Sequence, residues 1–402
     1  MATRSSRPAS GSSRPRADGR PYDVVVFGAT GFAGRLTADY LAHNAPPDCR
    51  WAIAGRSERK LAAVRDELGL GDDVALVTAE VDDAASLQSL AESTRVLITT
   101  VGPYVLYGDA VVAACALAGT DYLDLTGEPE FVERTYVRHH EAASASGARL
   151  VHAAGFDSIP HDLGALFTVL QLPADVPLEI AGYVRGSMAI SGGTFATMLT
   201  GAGRVRQNVA AVRAGRAARG PVEGGRRIST GGGRPGRDPV DGGWALPFPS
   251  LDPMIVAHSA RALPRYGPDF SYTHHFSVPR LHQAAGLAGA VSGVVLAAQV
   301  PPARRALQRR LAPGDGPSAE KRARSWFTVT FVGTGGGQRV VTRVSGGDPG
   351  YTETAKMLGE SALCLAYDEL PPTAGQVTTA QAMGEPLIAR LSKAGIGFDV
   401  IG

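Results

Sequence analysis

The run VVVFGATGFAGR, Val24 to Arg35, carries a β-branched stretch into three glycines, Gly28, Gly31 and Gly34. Glycines at that spacing after a strand let backbone N–H groups and the dipole of the following helix face a pyrophosphate, while the last of them lets helix and strand pack closely. The second strand, RWAIAG, ends in Gly55-Arg56-Ser57 with Arg59 and Lys60 behind it and no acid at its tip. NAD sites place a carboxylate there, about 20 positions past the glycines, to accept from the ribose 2′-hydroxyl. A guanidinium beside a hydroxyl instead holds a 2′-phosphate, so NADP(H) is the expected cofactor. After ALVTAEV, Asp82 is placed to accept from an adenine amino group; after VLITTV, Gly102 and Pro103 would lie against the nicotinamide ribose.

Reduction by such a cofactor needs a proton for the atom that gains electron density. The candidate donors are Tyr104, Asp157, His161 and Tyr351, of which Asp157 lies in GFDSIPHD, where a cleft between two domains would open. SGGT, Ser191 to Thr194, would start a helix facing that cleft, although Asp157 and Thr194 equally fit helix caps. His139-His140 and His274-His275 are adjacent pairs, and neighbours on a strand point to opposite faces, so no metal site is expected.

These residues need a scaffold. From Tyr22 the strand candidates DVVVFG, RWAIAG, ALVTAEV, VLITTVG, YLDL and RLVHAAG alternate with helical patterns, the rhythm of a doubly wound, Rossmann-type parallel sheet. Beyond Pro160, EIAGYVRG and FSYTHHFSV read as strands and SWFTVTFV with QRVVTRVSG as a hairpin, which predicts a second α+β domain with a mostly antiparallel sheet. The expected divisions are a disordered basic tail, 1–20; the NADP-binding domain, 21–160; a substrate or dimerisation domain, 161–350; and a C-terminal helical segment, 351–402, packing back on the first domain. Residues 201–243, rich in Gly and Arg, read as a flexible surface loop that would serve as a lid.

At 44% hydrophobic and 19% charged, the composition is that of a soluble globular chain, and the net charge of +2 comes from arginines in the tail, which argues against nucleic acid as a partner. The tail lacks the apolar core of a secretory signal, and the 3 cysteines are far apart, both consistent with the cytoplasm. The segment 283–300, QAAGLAGAVSGVVLAAQV, has no charged side chain and precedes the basic ARRALQRR. It fits a buried helix or homodimer contact, a helix on the inner face of a membrane or on a lipid-like substrate, or a span.

With GATGFAG, AGRSERKL, TTVGPY, GTDYLDLTGE, GFDSIPHDLG, SGGTFATM and GGDPGYTETAKML in hand, the chain resembles the saccharopine dehydrogenase-like oxidoreductases, within them most of all the actinobacterial trans-acting enoyl reductases. The resemblance implies that Gly28, Ala29, Thr30, Gly31, Phe32 and Gly34 bind the pyrophosphate, that Arg56 and Ser57 take the 2′-phosphate, with Lys60 close behind, and that Gly102 and Pro103 lie near the nicotinamide. It carries over no catalytic residue, since one branch handles a C–N bond and the other a C=C bond. The expected function is NADPH-dependent reduction of an enoyl, acyl or polyketide-derived lipid substrate, with a polyketide synthase as partner. The alternatives are oxidoreduction at a C–N bond of an amino-acid-like substrate, and a non-catalytic NADP-binding protein that sits on lipid or a synthase.

Overall fold

The computed structural model describes residues 19–187, 203–231, 233–248, 250–286 and 316–402, with Gly289 and Gly293. The expectations for Ser191 to Thr194 and for nearly all of 287–300 lie outside these residues, as do those for 1–18. Among the described residues no helix is long and apolar enough to cross a membrane.

The chain begins β1 (Tyr22–Phe27), α1 (Phe32–Asn44), β2 (Trp51–Gly55), α2 (Glu58–Glu67), β3 (Ala75–Thr78), α3 (Ala84–Glu92) and β4 (Thr94–Thr99). It continues through α4 (Tyr104–Ala118), β5 (Asp121–Leu123), α5 (Pro129–Ser146) and β6 (Arg149–Val151). After these come α6 (Ile159–Leu170), β7 (Leu178–Gly186), α7 (Val205–Arg219), β8 (Arg227–Gly231), β9 (Gly236–Arg237), β10 (Trp244–Pro247), α8 (Asp252–Ala262) and β11 (Asp269–Val278). The last are β12 (Phe327–Gly335), β13 (Gln338–Gly346), α9 (Thr352–Tyr367), β14 (Gly375–Val377), α10 (Thr379–Ala382), α11 (Gly384–Lys393) and β15 (Gly397–Val400).

The first six strands form a parallel sheet in the order β6-β5-β4-β1-β2-β3, which β14 extends beside β6. Successive residues of a strand face opposite sides, and here both sides are apolar. Val24, Val26, Ile53 and Ile98 pack with Leu41 of α1, Leu61 of α2 and Leu358 of α9. Val25, Phe27, Ala52 and Leu97 pack with Leu87 of α3, Val112 of α4 and Phe131 of α5. All these strands therefore end at one edge of the sheet, where the glycine turn lies.

The second sheet is mixed and mostly antiparallel, in the order β15-β13-β12-β7-β11-β10-β9, with β8 also on β11. The predicted hairpin is β12 with β13. α6 lies close against this sheet because Gly164 has no side chain: a Cβ there would stand 2.3 Å from the Phe331 ring. Asp162 on α6 ties the layers together, accepting from Ser259 of α8 at 2.5 Å, from Thr379 at 2.6 Å and from the Ala380 N–H of α10 at 2.8 Å.

Three expectations need correction. The stretch read as a loop holds the helix α7, because VRQNVAAVRAGRAAR is mostly good helix formers with a single glycine. Arg204 and Arg219 then bind Glu130 and Glu133 of α5, fixing the helix to the first domain rather than leaving it free. Arg20, assigned to the tail, is anchored instead, donating to Thr94 O and Thr120 Oγ1 at 2.5 Å and to Ala118 O at 2.6 Å. The C-terminal segment serves both sheets: α9 and β14 join the first, whereas β15 pairs with β13 of the second.

Candidate functional site

The turn after β1 shows what each glycine is for. Gly28 takes φ +92, and Thr100 Oγ1 pins its carbonyl at 3.2 Å. A Cβ on Gly34 would lie 2.3 Å from that same carbonyl oxygen, so Gly28 and Gly34 serve the chain's own packing. Gly31 is different: among the described residues a Cβ there would meet only Gly28 O, at 3.3 Å. Gly31 is also the N-cap of α1 and supplies no side-chain cap to the first N–H groups of the helix, an arrangement that could receive an anion. Ala29 is buried and Thr30 exposed, while the Phe32 side chain turns away to meet Tyr351 edge-on at 4.7 Å, under the Arg322 guanidinium. Backbone rather than side chain is what Phe32 offers to a phosphate.

At the tip of β2, Arg56 is exposed and pairs with no described residue, which leaves its guanidinium available. Ser57 caps α2, accepting from the Lys60 N–H at 3.4 Å, and Lys60 itself is exposed. After β3, Asp82 is exposed, whereas its neighbour Asp83 caps α3 through the N–H groups of Ala85 and Ser86. Gly102 is exposed, and Pro103 begins α4.

Tyr104 does not face this opening. Its ring is 6% exposed and its hydroxyl is taken up between Thr99 O and the Leu125 N–H, both at 3.2 Å, while burial pushes its pKa well above the ordinary value. It braces β4 against the loop after β5 and is no open acid. The first turn of α4 takes its cap from a distant residue, Glu128, whose carboxylate accepts from the Tyr104 N–H at 3.0 Å and the Val105 N–H at 2.6 Å. Sequence reasoning missed this because the partners are 24 positions apart.

Past β6 the chain presents Asp157. Its side chain is exposed and lies against Gly127 on the loop after β5, where a Cβ would stand 3.3 Å from Asp157 Oδ2. Surrounding protein nevertheless desolvates the carboxyl, and with Asp252 nearby its pKa is pushed up from 3.8 to about 6, against the pull of His161. The same loop touches α9, since the Phe156 N–H donates to Thr354 Oγ1 at 3.1 Å. Tyr351, the N-cap of α9, packs its ring on Phe32 beside the glycine turn.

Behind Asp157 lies a polar cluster that the sequence did not reveal. His161 Nδ1 is 3.2 Å from Asp252 Oδ1, and His274 Nε2 is 3.5 Å from Asp252 Oδ2; all three side chains are buried. Burial raises the Asp252 pKa, but His161, His274 and Ser250 outweigh it and hold the carboxyl low. As expected for neighbours on a strand, His274 and His275 diverge, His275 stacking on Tyr183 with ring centroids 5.0 Å apart. What brings His274 to His161 is the pairing of sheet and helix, 113 residues apart in the chain.

A separate cavity of about 350 Å³ opens beyond β14, walled by Tyr136, His140, Arg219, His258, Arg261 and Gln376. Its arginines are already engaged: Arg219 pairs with Glu133, and Arg261 donates to Gly220 O at 2.7 Å.

Residues 24–151 match the family described as "Saccharopine dehydrogenase NADP binding domain". A protein of Mycobacterium tuberculosis, provisionally named a trans-acting enoyl reductase, is 37% identical over 416 residues, covering 94% of this chain and 97% of the relative. The trans-acting enoyl reductase of Mycobacterium ulcerans is 36% identical over 408 residues with the same coverage. Among solved structures, apo histidine-tagged saccharopine dehydrogenase (L-Glu forming) from Saccharomyces cerevisiae shares the fold, with a TM-score of 0.55 at 12% identity, covering 95% of this chain and 100% of that one.

Proposed function

The chain belongs to the saccharopine dehydrogenase NADP-binding family, beside the mycobacterial trans-acting enoyl reductases, and from that premise we propose that it reduces the C=C bond of an enoyl thioester with NADPH. The single observation that carries the reading is Asp157: a carboxyl open to solvent, held near pH 6, at the edge of the sheet where the glycine turn and Gly102 also lie. Bound with its pyrophosphate at Gly31, NADPH would supply the hydride. The residues of the chain do the rest. The uncapped N-terminus of α1 receives the pyrophosphate, and Arg56 with Ser57 and Lys60 takes the 2′-phosphate. Asp82 orients the adenine, and Gly102 and Pro103 admit the ribose of the reacting ring.

Hydride arriving at the β-carbon of an enoyl thioester leaves negative charge on the α-carbon and the thioester oxygen. Asp157 Oδ2 then gives its proton to the α-carbon, so the two hydrogens gained come one from the cofactor and one from the carboxyl. The acyl group arrives as a thioester, on coenzyme A or on a carrier protein of a polyketide synthase. Tyr351 is assigned a positioning role at the pyrophosphate turn through its contact with Phe32. Incubation of the full chain with NADPH and a short 2-enoyl thioester, followed by cofactor fluorescence and product mass, tests the reading. Loss of NADPH with formation of the saturated thioester is expected. Turnover of an imine formed from an amino acid, with none of the enoyl thioester, would assign the chain to C–N chemistry instead; NADPH binding with no turnover of either would leave a non-catalytic binder.

A further inference from the structure

A buried cluster of ligand-type side chains lies behind Asp157. His161 stands in the first turn of α6, Asp252 at the first position of α8, and His274 in the middle of β11, so three elements of different layers converge on one point. We propose that His161, Asp252 and His274 form a buried site for a divalent transition metal of the zinc class, at the junction of the two sheets.

Geometry comes first. One ligand atom from each residue can be chosen so that all lie within 4.8 Å of one another. Tetrahedral zinc, with nitrogen and oxygen ligands at about 2.0–2.1 Å, separates neighbouring ligand atoms by about 3.3–3.4 Å. His161 Nδ1 stands 3.2 Å from Asp252 Oδ1 and His274 Nε2 3.5 Å from Asp252 Oδ2, so each imidazole already faces one oxygen of the carboxylate at a separation of that order.

Unmet bonding comes second. Neither nitrogen of His161 has a hydrogen-bond partner, nor does His274 Nε2, although His161 is 2% exposed and His274 0%. Buried polar atoms left so are costly, and each calls for a cause. The contrast with Asp162, the next residue after His161, is instructive: its carboxylate is satisfied by Ser259, Thr379 and Ala380. The chain satisfies a buried carboxylate in this neighbourhood, yet it leaves His161 Nδ1 and Nε2 and His274 Nε2 without a hydrogen bond of good geometry.

Orientation comes third. The Tyr272 hydroxyl lies 3.0 Å from His274 Nδ1, which fixes the ring with Nε2 toward Asp252, and Ser250 donates to Asp252 Oδ2 at 2.5 Å. Outer partners of this kind set the tautomer and aim of metal ligands. Two imidazoles and one carboxylate suit zinc or a similar ion, and three protein ligands leave a fourth position for water. The inference stands whether or not the substrate is an enoyl thioester, since it rests on none of the residues that bind the dinucleotide.

The test is metal content and cobalt spectroscopy of the full chain, neither of which reads turnover. Protein grown with added zinc and dialysed should hold about one zinc per chain. After removal of metal by a chelator, Co²⁺ should give visible d–d absorption of four-coordinate intensity, saturating at about one equivalent, and zinc should abolish it. His161→Ala and His274→Ala should each lose at least about tenfold in metal affinity. His275→Ala and His140→Ala, histidines of the other face and of the separate cavity, should leave the band unchanged. Should the two site variants fail to fold, the wild-type cobalt titration and the rise in melting temperature on adding zinc to metal-free protein decide the matter alone. Wild-type protein with neither bound zinc nor a cobalt band overturns the proposal, as does a band that survives in folded His161→Ala and His274→Ala.

Discussion

Replacing Asp157 by asparagine should make the protein more stable and a poorer reductase at once. The folded-state pKa is raised above that of the unfolded chain, from 3.8 to about 6, through burial and the neighbouring Asp252. A group shifted in this direction contributes its stabilisation fully below pH 3.8 and loses it as pH rises through about 6, so at neutral pH the ionised carboxylate weakens the fold. In a dry site a shift of that size would be about 3 kcal/mol. Because the side chain is exposed, solvent screens it, and about 1 kcal/mol is the better expectation. Asp157→Asn should therefore raise the unfolding free energy by about that amount at pH 8 and by much less at pH 4. As a proton donor the acid form is the active one; at pH 7 about a tenth of it remains, and kcat/KM should fall roughly tenfold per pH unit above that pKa. The variant should lose about 10²–10⁴-fold in rate and lose this pH dependence as well. Urea unfolding at the two pH values, with rate profiles for both proteins, measures all of it. A variant that keeps the wild-type rate and profile refutes Asp157 as the donor, and a variant less stable than wild type at pH 8 refutes the desolvation behind it.

Gly31→Val should abolish NADPH binding while the fold survives, because a Cβ at Gly31 meets only one carbonyl oxygen, whereas Gly34→Ala should unfold the first domain, its Cβ falling 2.3 Å from Gly28 O; fluorescence titration and circular dichroism separate the two. Arg56→Ala should cost NADPH about ten- to a hundredfold in affinity, the worth of a hydrogen-bonded charge, and leave NADH unchanged; equal losses for both would remove Arg56 from the 2′-phosphate. Tyr104→Phe should lower stability by about 1 kcal/mol through the lost hydroxyl bonds and leave the chemical step intact, which single-turnover rates would check. Glu128→Ala should cost about 1–2 kcal/mol, since it strips the cap from α4, and should do so without altering nucleotide affinity.

What the sequence by itself determined is local or periodic. The parallel sheet was legible because doubly buried strands must be apolar on successive residues, and the hairpin of β12 and β13 because its turn is glycine-rich and short. The residues expected to face a nucleotide are local for the same reason: a glycine turn, a strand tip and a helix start are runs of a few neighbours, so Gly28 to Gly34 and Arg56-Ser57 each stand together in the chain as they do in space. Residues 205–219 were misread as loop because glycine content across the whole stretch obscured fifteen residues of helix formers. Tertiary structure alone decided which candidate acids are open. Tyr104 and Asp157 are alike in sequence terms, each following a strand of the same sheet; only packing buries the hydroxyl of one between Thr99 and Leu125 and leaves the carboxyl of the other exposed. Packing alone, too, joins His161, Asp252 and His274, because the energy that assembles them is the burial of α6 and α8 against the second sheet, and a contact made by burial leaves no spacing in the chain to be read.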